Sequence, residues 1–187
     1  MKFAAVLLAG GESRRMGQDK STVLFRGKPL WRIQIDLLRK LEPAELLISA
    51  RTDPSWRPND CRFVSDAPPS IGPLSGLSAA LHRMQCEHLL ALAIDMPFMS
   101  EKYLRSLYDK AEPGRGVLPM IDDRAEPLAA IYPRSANADV NAALRGQDFS
   151  LQTLVRKLVA ADKLQTVPVK EAEREFFRNI NEPADVN

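Results

Sequence analysis

A short glycine-rich stretch with several cations, LLAGGESRRMGQDKS, follows the first apolar run of the chain. Gly10 and Gly11 are adjacent in it, and Arg15 and Lys20 are among its positive charges. Backbone N–H groups approach phosphate oxygens most closely where no side chain intervenes, and arginine and lysine supply the compensating charge. The loop therefore predicts a binding site for a ligand rich in phosphate.

The spacing of this loop differs from the two best-known phosphate loops. Five residues separate Gly11 from Gly17, and two more separate Gly17 from Lys20, so the Walker spacing is not met. The dinucleotide pattern also fails, because Gly10 and Gly11 are adjacent and no glycine stands three residues after Gly11. One alternative stays open at this point: an exposed loop whose charges only face water.

Two aspartates stand where apolar runs end. Asp95 closes the run HLLALAID, and Asp66 closes CRFVSD. Ligands of open α/β sheets bind at the carboxyl ends of the strands. Carboxylate oxygens there suit Mg²⁺, which commonly joins one or two carboxylates to substrate phosphates. The competing interpretation of Asp95 is a helix-capping or turn aspartate before Pro97.

The elements that must position these residues alternate between strand and helix patterns, which is typical of an α/β fold around a mostly parallel sheet. We expect Ser100, Ser135 and Ser150 to cap helices and Gly146 to end one. Strands are predicted at 3–10, 44–50, 61–66, 88–95, 116–122, 127–133 and 165–169, and helices at 29–41, 77–85, 101–111, 136–145 and 151–161.

Length and composition limit the function classes. With 187 residues, of which 45% are hydrophobic, we expect one folded domain over residues 1–187. The 26 lysines and arginines nearly balance the 24 acidic residues, so no global field favours nucleic acid or a membrane surface. No window approaches the ~20 apolar residues of a membrane-spanning helix. Two isolated cysteines agree with a reducing cytoplasm.

Together the cationic loop and Asp95 suit attack on a nucleoside triphosphate. Charge then develops on the phosphoryl oxygens and on the departing pyrophosphate, where Arg, Lys and Mg²⁺ stabilise it. Such chemistry requires neither a histidine nor a cysteine nucleophile.

At this point the sequence resembles the molybdenum cofactor guanylyltransferase family. LAGGESRRMGQDK is similar to the family's N-terminal signature, which cytidylyltransferases and sugar-phosphate nucleotidyltransferases share in part. The stretches RGKPLW, VSD, GPLSGL, DMP, EPLAAIYP and NINEP follow in the family's order and span nearly the whole chain. The resemblance implies a Rossmann-like three-layer α/β/α sandwich. It also implies GMP transfer from GTP to molybdopterin, with Mg²⁺ as cofactor.

The resemblance also implies roles for individual residues. GTP is expected in the N-terminal half and the pterin toward the C-terminal half. Lys20 is expected on the phosphates, Arg15 on the triphosphate, Asp66 on the nucleoside and Asp95 on both Mg²⁺ and GTP. The remaining residues implied by the resemblance are Leu8, Ala9, Gly10 and Gly11 around the nucleotide and Asn179 and Asn181 near the pterin.

One departure from the family stands at the end of the second strand, where Ser49 replaces the usual asparagine. The contact with the base or the ribose that the family's asparagine would make is therefore unassigned in this chain. Two rival functions therefore remain: a cytidylyltransferase or other nucleotidylyltransferase with the same chemistry, and a non-catalytic protein that binds nucleotide and delivers the cofactor. Transient contact with molybdoenzymes or delivery proteins is a further expectation.

Overall fold

The computed structural model describes residues 2–10, 20–66 and 70–180. The strands in these ranges are β1 (Phe3–Leu8), β2 (Leu24–Phe25), β3 (Lys28–Pro29), β4 (Glu45–Ala50), β5 (Arg62–Ser65), β6 (His88–Ala93), β7 (Gly116–Ile121), β8 (Arg124–Ala125), β9 (Ala129–Pro133) and β10 (Leu164–Pro168). The α-helices are α1 (Leu30–Lys40), α2 (Gly72–Arg83), α3 (Glu101–Tyr108), α4 (Asn137–Arg145) and α5 (Leu151–Ala160). Short 3₁₀ turns cover Lys20–Thr22, Arg134–Ala136 and Glu171–Phe177.

One large sheet organises the fold, with strand order β10-β7-β9-β6-β1-β4-β5 and β8 paired to β7. The pairs β1–β4, β1–β6, β4–β5 and β7–β10 are parallel, whereas β9 runs antiparallel to both β6 and β7. The predicted α/β class with a mostly parallel sheet is therefore confirmed, with β9 as the reversed strand. β2 and β3 form a separate hairpin.

Apolar side chains cover both faces of the sheet. Along β1, Phe3, Ala5 and Leu7 belong to the core on one face, where α1 and α3 pack. Ala4, Val6 and Leu8 belong to the core on the other face, where α2, α4 and α5 pack. Because successive side chains of a strand point to opposite faces, a continuous apolar run is what a strand covered on both sides needs. The result is three layers, helices on either side of a sheet.

Two of the three predicted serine caps are confirmed. The Ser100 hydroxyl accepts from the Tyr103 N–H at 3.4 Å, and the Ser150 hydroxyl accepts from the Thr153 N–H at 3.4 Å. The prediction for Ser135 is wrong. This residue lies inside the 3₁₀ turn that leads into α4, so it has helical rather than extended neighbours and does not occupy the cap position.

Helix α2 begins at Gly72, five residues before its predicted start at Leu77. Pro73 lies in its first turn, where a residue without an N–H breaks no helical hydrogen bond. The proline was therefore part of the helix rather than of the preceding loop. Among the described helices, none has both the length and the apolar character needed to cross a membrane.

Candidate nucleotide site

The carboxyl ends of four neighbouring strands form the site edge of the sheet. Hydrogen bonds extend the strand pairing beyond these ends: the Ala9 N–H donates to the Ser49 carbonyl at 2.9 Å, and the Asp66 N–H donates to the Ala50 carbonyl at 3.1 Å. The Ile94 N–H similarly donates to the Leu8 carbonyl at 3.2 Å. These bonds hold the segments after β1, β4, β5 and β6 side by side, as the parallel register requires.

Asp66 is buried at this edge with only 4% of its surface exposed. The Ser49 hydroxyl donates to Asp66 Oδ1, and the Ser70 hydroxyl donates to Oδ2 at 3.4 Å. Burial raises the pKa of Asp66, and the two hydroxyl donors and the charge of Arg51 partly offset that effect. A poorly solvated carboxyl group gains most from a hydrogen-bonding ligand, which suits the predicted nucleoside contact.

Ser49, the residue that departs from the family pattern, is 1% exposed. Its hydroxyl is engaged by Asp66. In the structure the Ser49 hydroxyl therefore holds the Asp66 carboxyl group in place by donating a hydrogen bond to it.

Two glycines, Gly10 and Gly76, leave the space that the Ser49 and Asp66 side chains occupy. A Cβ at Gly10 would stand 2.5 Å from Asp66 Oδ2. A Cβ at Gly76, in α2, would stand 2.6 Å from the Ser49 hydroxyl oxygen and 3.3 Å from Asp66 Oδ1. Both distances to the nearest oxygen are shorter than real Cβ contacts, so any side chain here would displace the Ser49–Asp66 pair.

Gly76 and Ser70 were not identified from the sequence as individual site residues. A signal for Gly76 was present, because a glycine inside a helical pattern usually has a packing or functional reason. No comparable signal marked Ser70, whose contact with Asp66 depends on the tertiary path of the loop.

Lys20 and Asp95 meet at the same edge although 75 residues separate them. The Lys20 ammonium lies 2.8 Å from Asp95 Oδ2, and the two side chains are 18% and 20% exposed. Lys20 begins the 3₁₀ turn before the β2–β3 hairpin, whereas Asp95 follows β6. The structure therefore brings together two residues that the sequence analysis expects on the same triphosphate.

The C-terminal segment reaches the same place. The Ile180 N–H donates to the Asp95 carbonyl at 2.8 Å, so Asn179 lies one residue from a direct contact with the Asp95 loop. Asn179 is exposed. The predicted site residues Gly11, Arg15 and Asn181 lie outside the described residues.

Asp66 also borders an open cavity of about 430 Å³, which Arg51, Ser65 and Ser70 line with it. Arg51 gives this cavity a positive charge beside a carboxyl group. Within the described ranges, no cluster of three or more His, Cys, Asp or Glu is placed to hold a metal ion. Mg²⁺ needs no such cluster where one or two carboxylates and substrate phosphates complete its coordination.

Comparison with known proteins places the chain in a family. Residues 5–165 match the model of the MobA-like NTP transferase domain. A probable molybdenum cofactor guanylyltransferase from Opitutus terrae is 35% identical over 186 residues, which cover 98% of this chain and 92% of the relative. One from Methanosarcina acetivorans is 31% identical over 98% of this chain and 88% of the relative.

Among solved structures, molybdopterin-guanine dinucleotide biosynthesis protein A from Archaeoglobus fulgidus superposes with a TM-score of 0.80 at 27% identity. The match covers 98% of this chain and 94% of that protein. Because the family model matches most of the chain and a relative is 35% identical over nearly all of it, the chain belongs to the MobA-like NTP transferase family.

Proposed function

We propose that the protein is a molybdenum cofactor guanylyltransferase, which transfers GMP from GTP to molybdopterin and releases pyrophosphate. The observation that carries this proposal is the contact of Lys20 with Asp95 at 2.8 Å, at the site edge of a MobA-like fold. This contact places the Lys20 ammonium, which can bind phosphate oxygens, beside the Asp95 carboxylate, which can bind a metal ion.

The reaction forms one bond and breaks one. A phosphate oxygen of molybdopterin attacks the α-phosphorus of GTP, and the bond between that phosphorus and the bridging oxygen of pyrophosphate breaks. The attacking phosphate is already anionic, so no general base is needed. The function of the protein is then to position two anions against each other and to stabilise the charge on the leaving group.

Lys20 and Asp95 divide this electrostatic work. The Lys20 ammonium lies at the edge where the triphosphate would enter, with Arg15 as the second proposed cation. Asp95 fits a Mg²⁺ ligand because its carboxylate is 20% exposed at the site edge. When bound there, Mg²⁺ would neutralise charge on the phosphoryl oxygens of the triphosphate.

The nucleoside is proposed to bind at the ends of β1 and β5. Leu8, Ala9, Gly10 and Gly11 would lie around it, and Asp66 would accept its hydrogen bonds. Ser49 would act by fixing the Asp66 carboxyl group, since its own hydroxyl is buried against that group.

The pterin is proposed to bind toward the C-terminal half, with Asn179 and Asn181 at its edge. One domain over residues 1–187 would thus hold both substrates in a cytoplasmic protein that passes its product to molybdoenzymes or delivery proteins. The relatives' names support guanine as the base.

Pyrophosphate release on mixing the protein with Mg²⁺, GTP and molybdopterin tests the proposal. Replacing Lys20 by alanine should lower turnover by roughly 10²–10³, the scale of one lost electrostatic stabiliser. Lys40→Ala, which removes an exposed lysine of α1, is the matched control and should leave turnover unchanged.

Three results would contradict the proposal in different ways. Pyrophosphate release no greater than background would favour the non-catalytic delivery protein. Faster release with CTP, or a larger rise in melting temperature with Mg²⁺ and CTP than with Mg²⁺ and GTP, would favour a cytidylyltransferase. Full turnover of a folded Lys20→Ala variant would refute the role of Lys20.

A further inference from the structure

Two arginines share one aromatic ring beside the site. The Cζ atom of Arg178 lies 4.1 Å from the centre of the Phe98 ring, and the Cζ atom of Arg26 lies 5.9 Å from the same centre. Arg26 also lies 5.1 Å from the ring of Phe25, which packs edge-on against Phe98 at 5.1 Å. We call Phe25, Arg26, Phe98 and Arg178 the arginine–phenylalanine cluster.

The cluster is tied to both ends of the Lys20–Asp95 pair. Phe98 follows Asp95 by three residues, and Arg178 precedes Ile180, whose N–H donates to the Asp95 carbonyl at 2.8 Å. Arg26 lies at the tip of the hairpin that directly follows the Lys20 turn. The two arginines therefore come from chain segments that the described contacts already hold beside Asp95.

Arg26 occupies a backbone position that does not favour arginine. Phe25 pairs with Lys28, so Arg26 and Gly27 form a two-residue hairpin loop, with φ of 51° and 77°. Two positive φ values are the pattern of a type I′ turn, in which Asn, Asp or Gly is strongly preferred at the first position. An arginine is conformationally strained at this position, and strained residues concentrate at functional sites.

The positions of the two guanidinium groups suit one dianion. Both lie on the Phe98 ring, so their Cζ atoms are at most 10 Å apart, and both side chains are exposed. Aromatic contacts orient a guanidinium while leaving its N–H groups available to phosphate oxygens. Glu175 lies 3.4 Å from Arg178, but an ion pair between two exposed side chains is weak and a phosphate can displace it.

The cluster lies on a different face of the sheet from the proposed nucleoside contacts. Phe25 and Phe98 pack into the core that α1 and α3 cover. Asp66 and Ser49 instead lie against Gly76 of α2, which belongs to the opposite layer. A phosphate held by the cluster would thus approach Asp95 from another side than the nucleoside at Asp66.

We propose that Arg26 and Arg178 together bind the phosphate of the acceptor substrate, a phosphomonoester, and position it for attack. This inference rests on the proposed function, because that function supplies an acceptor with a terminal phosphate. The two arginines determine acceptor affinity, whereas Lys20 and the glycine-rich loop serve the triphosphate.

Arg26→Asn is the sharpest test, because asparagine suits the turn but removes the cation. The Michaelis constant for molybdopterin should rise about tenfold, as for one lost charged hydrogen bond. The constant for GTP should stay within about twofold, and the melting temperature should stay equal or rise. Arg178→Gln should act in the same direction, and Arg32→Gln, an exposed arginine of α1, is the charge-matched control.

Calorimetric titration of molybdopterin into the protein separates this inference from the proposed function. Tighter binding to the native chain than to the Arg26→Asn, Arg178→Gln double variant supports the cluster, even if no pyrophosphate is released and the proposed function fails. Equal binding to both proteins overturns the inference. An equal or larger rise in the Michaelis constant for GTP also overturns it, as does a lowered melting temperature of Arg26→Asn with unchanged acceptor binding.

Discussion

Replacing Gly76 by alanine should destabilise the protein although it adds a better helix former. The new methyl carbon would stand 2.6 Å from the Ser49 hydroxyl oxygen, 0.8 Å inside the 3.4 Å at which ordinary contact begins. It would also stand 3.0 Å from Leu8 Cδ2. The hydroxyl cannot yield freely, because Ser49 is 1% exposed and donates to Asp66.

The expected magnitude follows from three contributions. Overpacking costs about 1–3 kcal/mol, and turning the hydroxyl away loses a hydrogen bond to a buried carboxyl group, about 1.5–3 kcal/mol. Alanine regains about 1 kcal/mol of helix propensity. The net loss is about 1.5–5 kcal/mol, which for a chain of this length lowers the melting temperature by about 3–20 °C.

Thermal and urea unfolding measure the effect, with Gly146→Ala as the matched control. A Cβ at Gly146 would meet nothing closer than 3.4 Å, so the same substitution there should change stability little. Ser49→Ala removes the oxygen that causes the clash, so the Gly76→Ala, Ser49→Ala double variant should be about 0.5–3 kcal/mol more stable than additivity predicts. Additive effects, or a Gly76→Ala variant as stable as the native protein, would refute the reasoning.

Three further predictions concern stability. Burial raises the pKa of Asp66, so in the native state this carboxyl group keeps its proton at pH values where the same group in the unfolded chain has lost it. The contribution of Asp66 to the free energy of unfolding should therefore fall as pH rises above about 4, and Asp66→Asn should remove that contribution from the pH dependence measured in urea titrations. Tyr132→Phe should cost about 1–2 kcal/mol in urea unfolding, because it strips the buried Pro127 carbonyl of a donor at 2.7 Å, and an unchanged midpoint would contradict this. Ser100→Ala should cost about 1 kcal/mol of helix capping, whereas Ser135→Ala should cost less than about 0.5 kcal/mol, and equal thermal shifts would exclude the capping account.

Local patterns in the sequence predicted the individual elements well. The uninterrupted apolar run at the start of the chain predicted a strand buried on both faces, and all six residues of β1 are buried. Ser100 and Ser150 predicted helix starts because a capping hydroxyl acts on a backbone N–H only three residues away. Such signals depend on near neighbours in the chain, so a single sequence contains them.

Errors arose where the outcome depended on contacts outside the local segment. Ser135 has the residue type of a cap, but the turn that precedes α4 is already helical and leaves it no cap position. The reversed direction of β9 was not predicted either. Its pairing with β6 and β7 depends on which strand edges remain open after the rest of the sheet has formed.

The sequence by itself determined the α/β class and the cationic glycine-rich loop, because these follow from residue types and short spacings, and it predicted Lys20 and Asp95 as residues that act on the triphosphate. Only the tertiary structure decided that Lys20 lies 2.8 Å from Asp95, that Gly76 makes room for the Ser49–Asp66 pair, and that Arg26 and Arg178 meet on Phe98. Contacts between residues tens of positions apart depend on strand order and helix packing. Those in turn are set by how the whole chain buries its apolar faces.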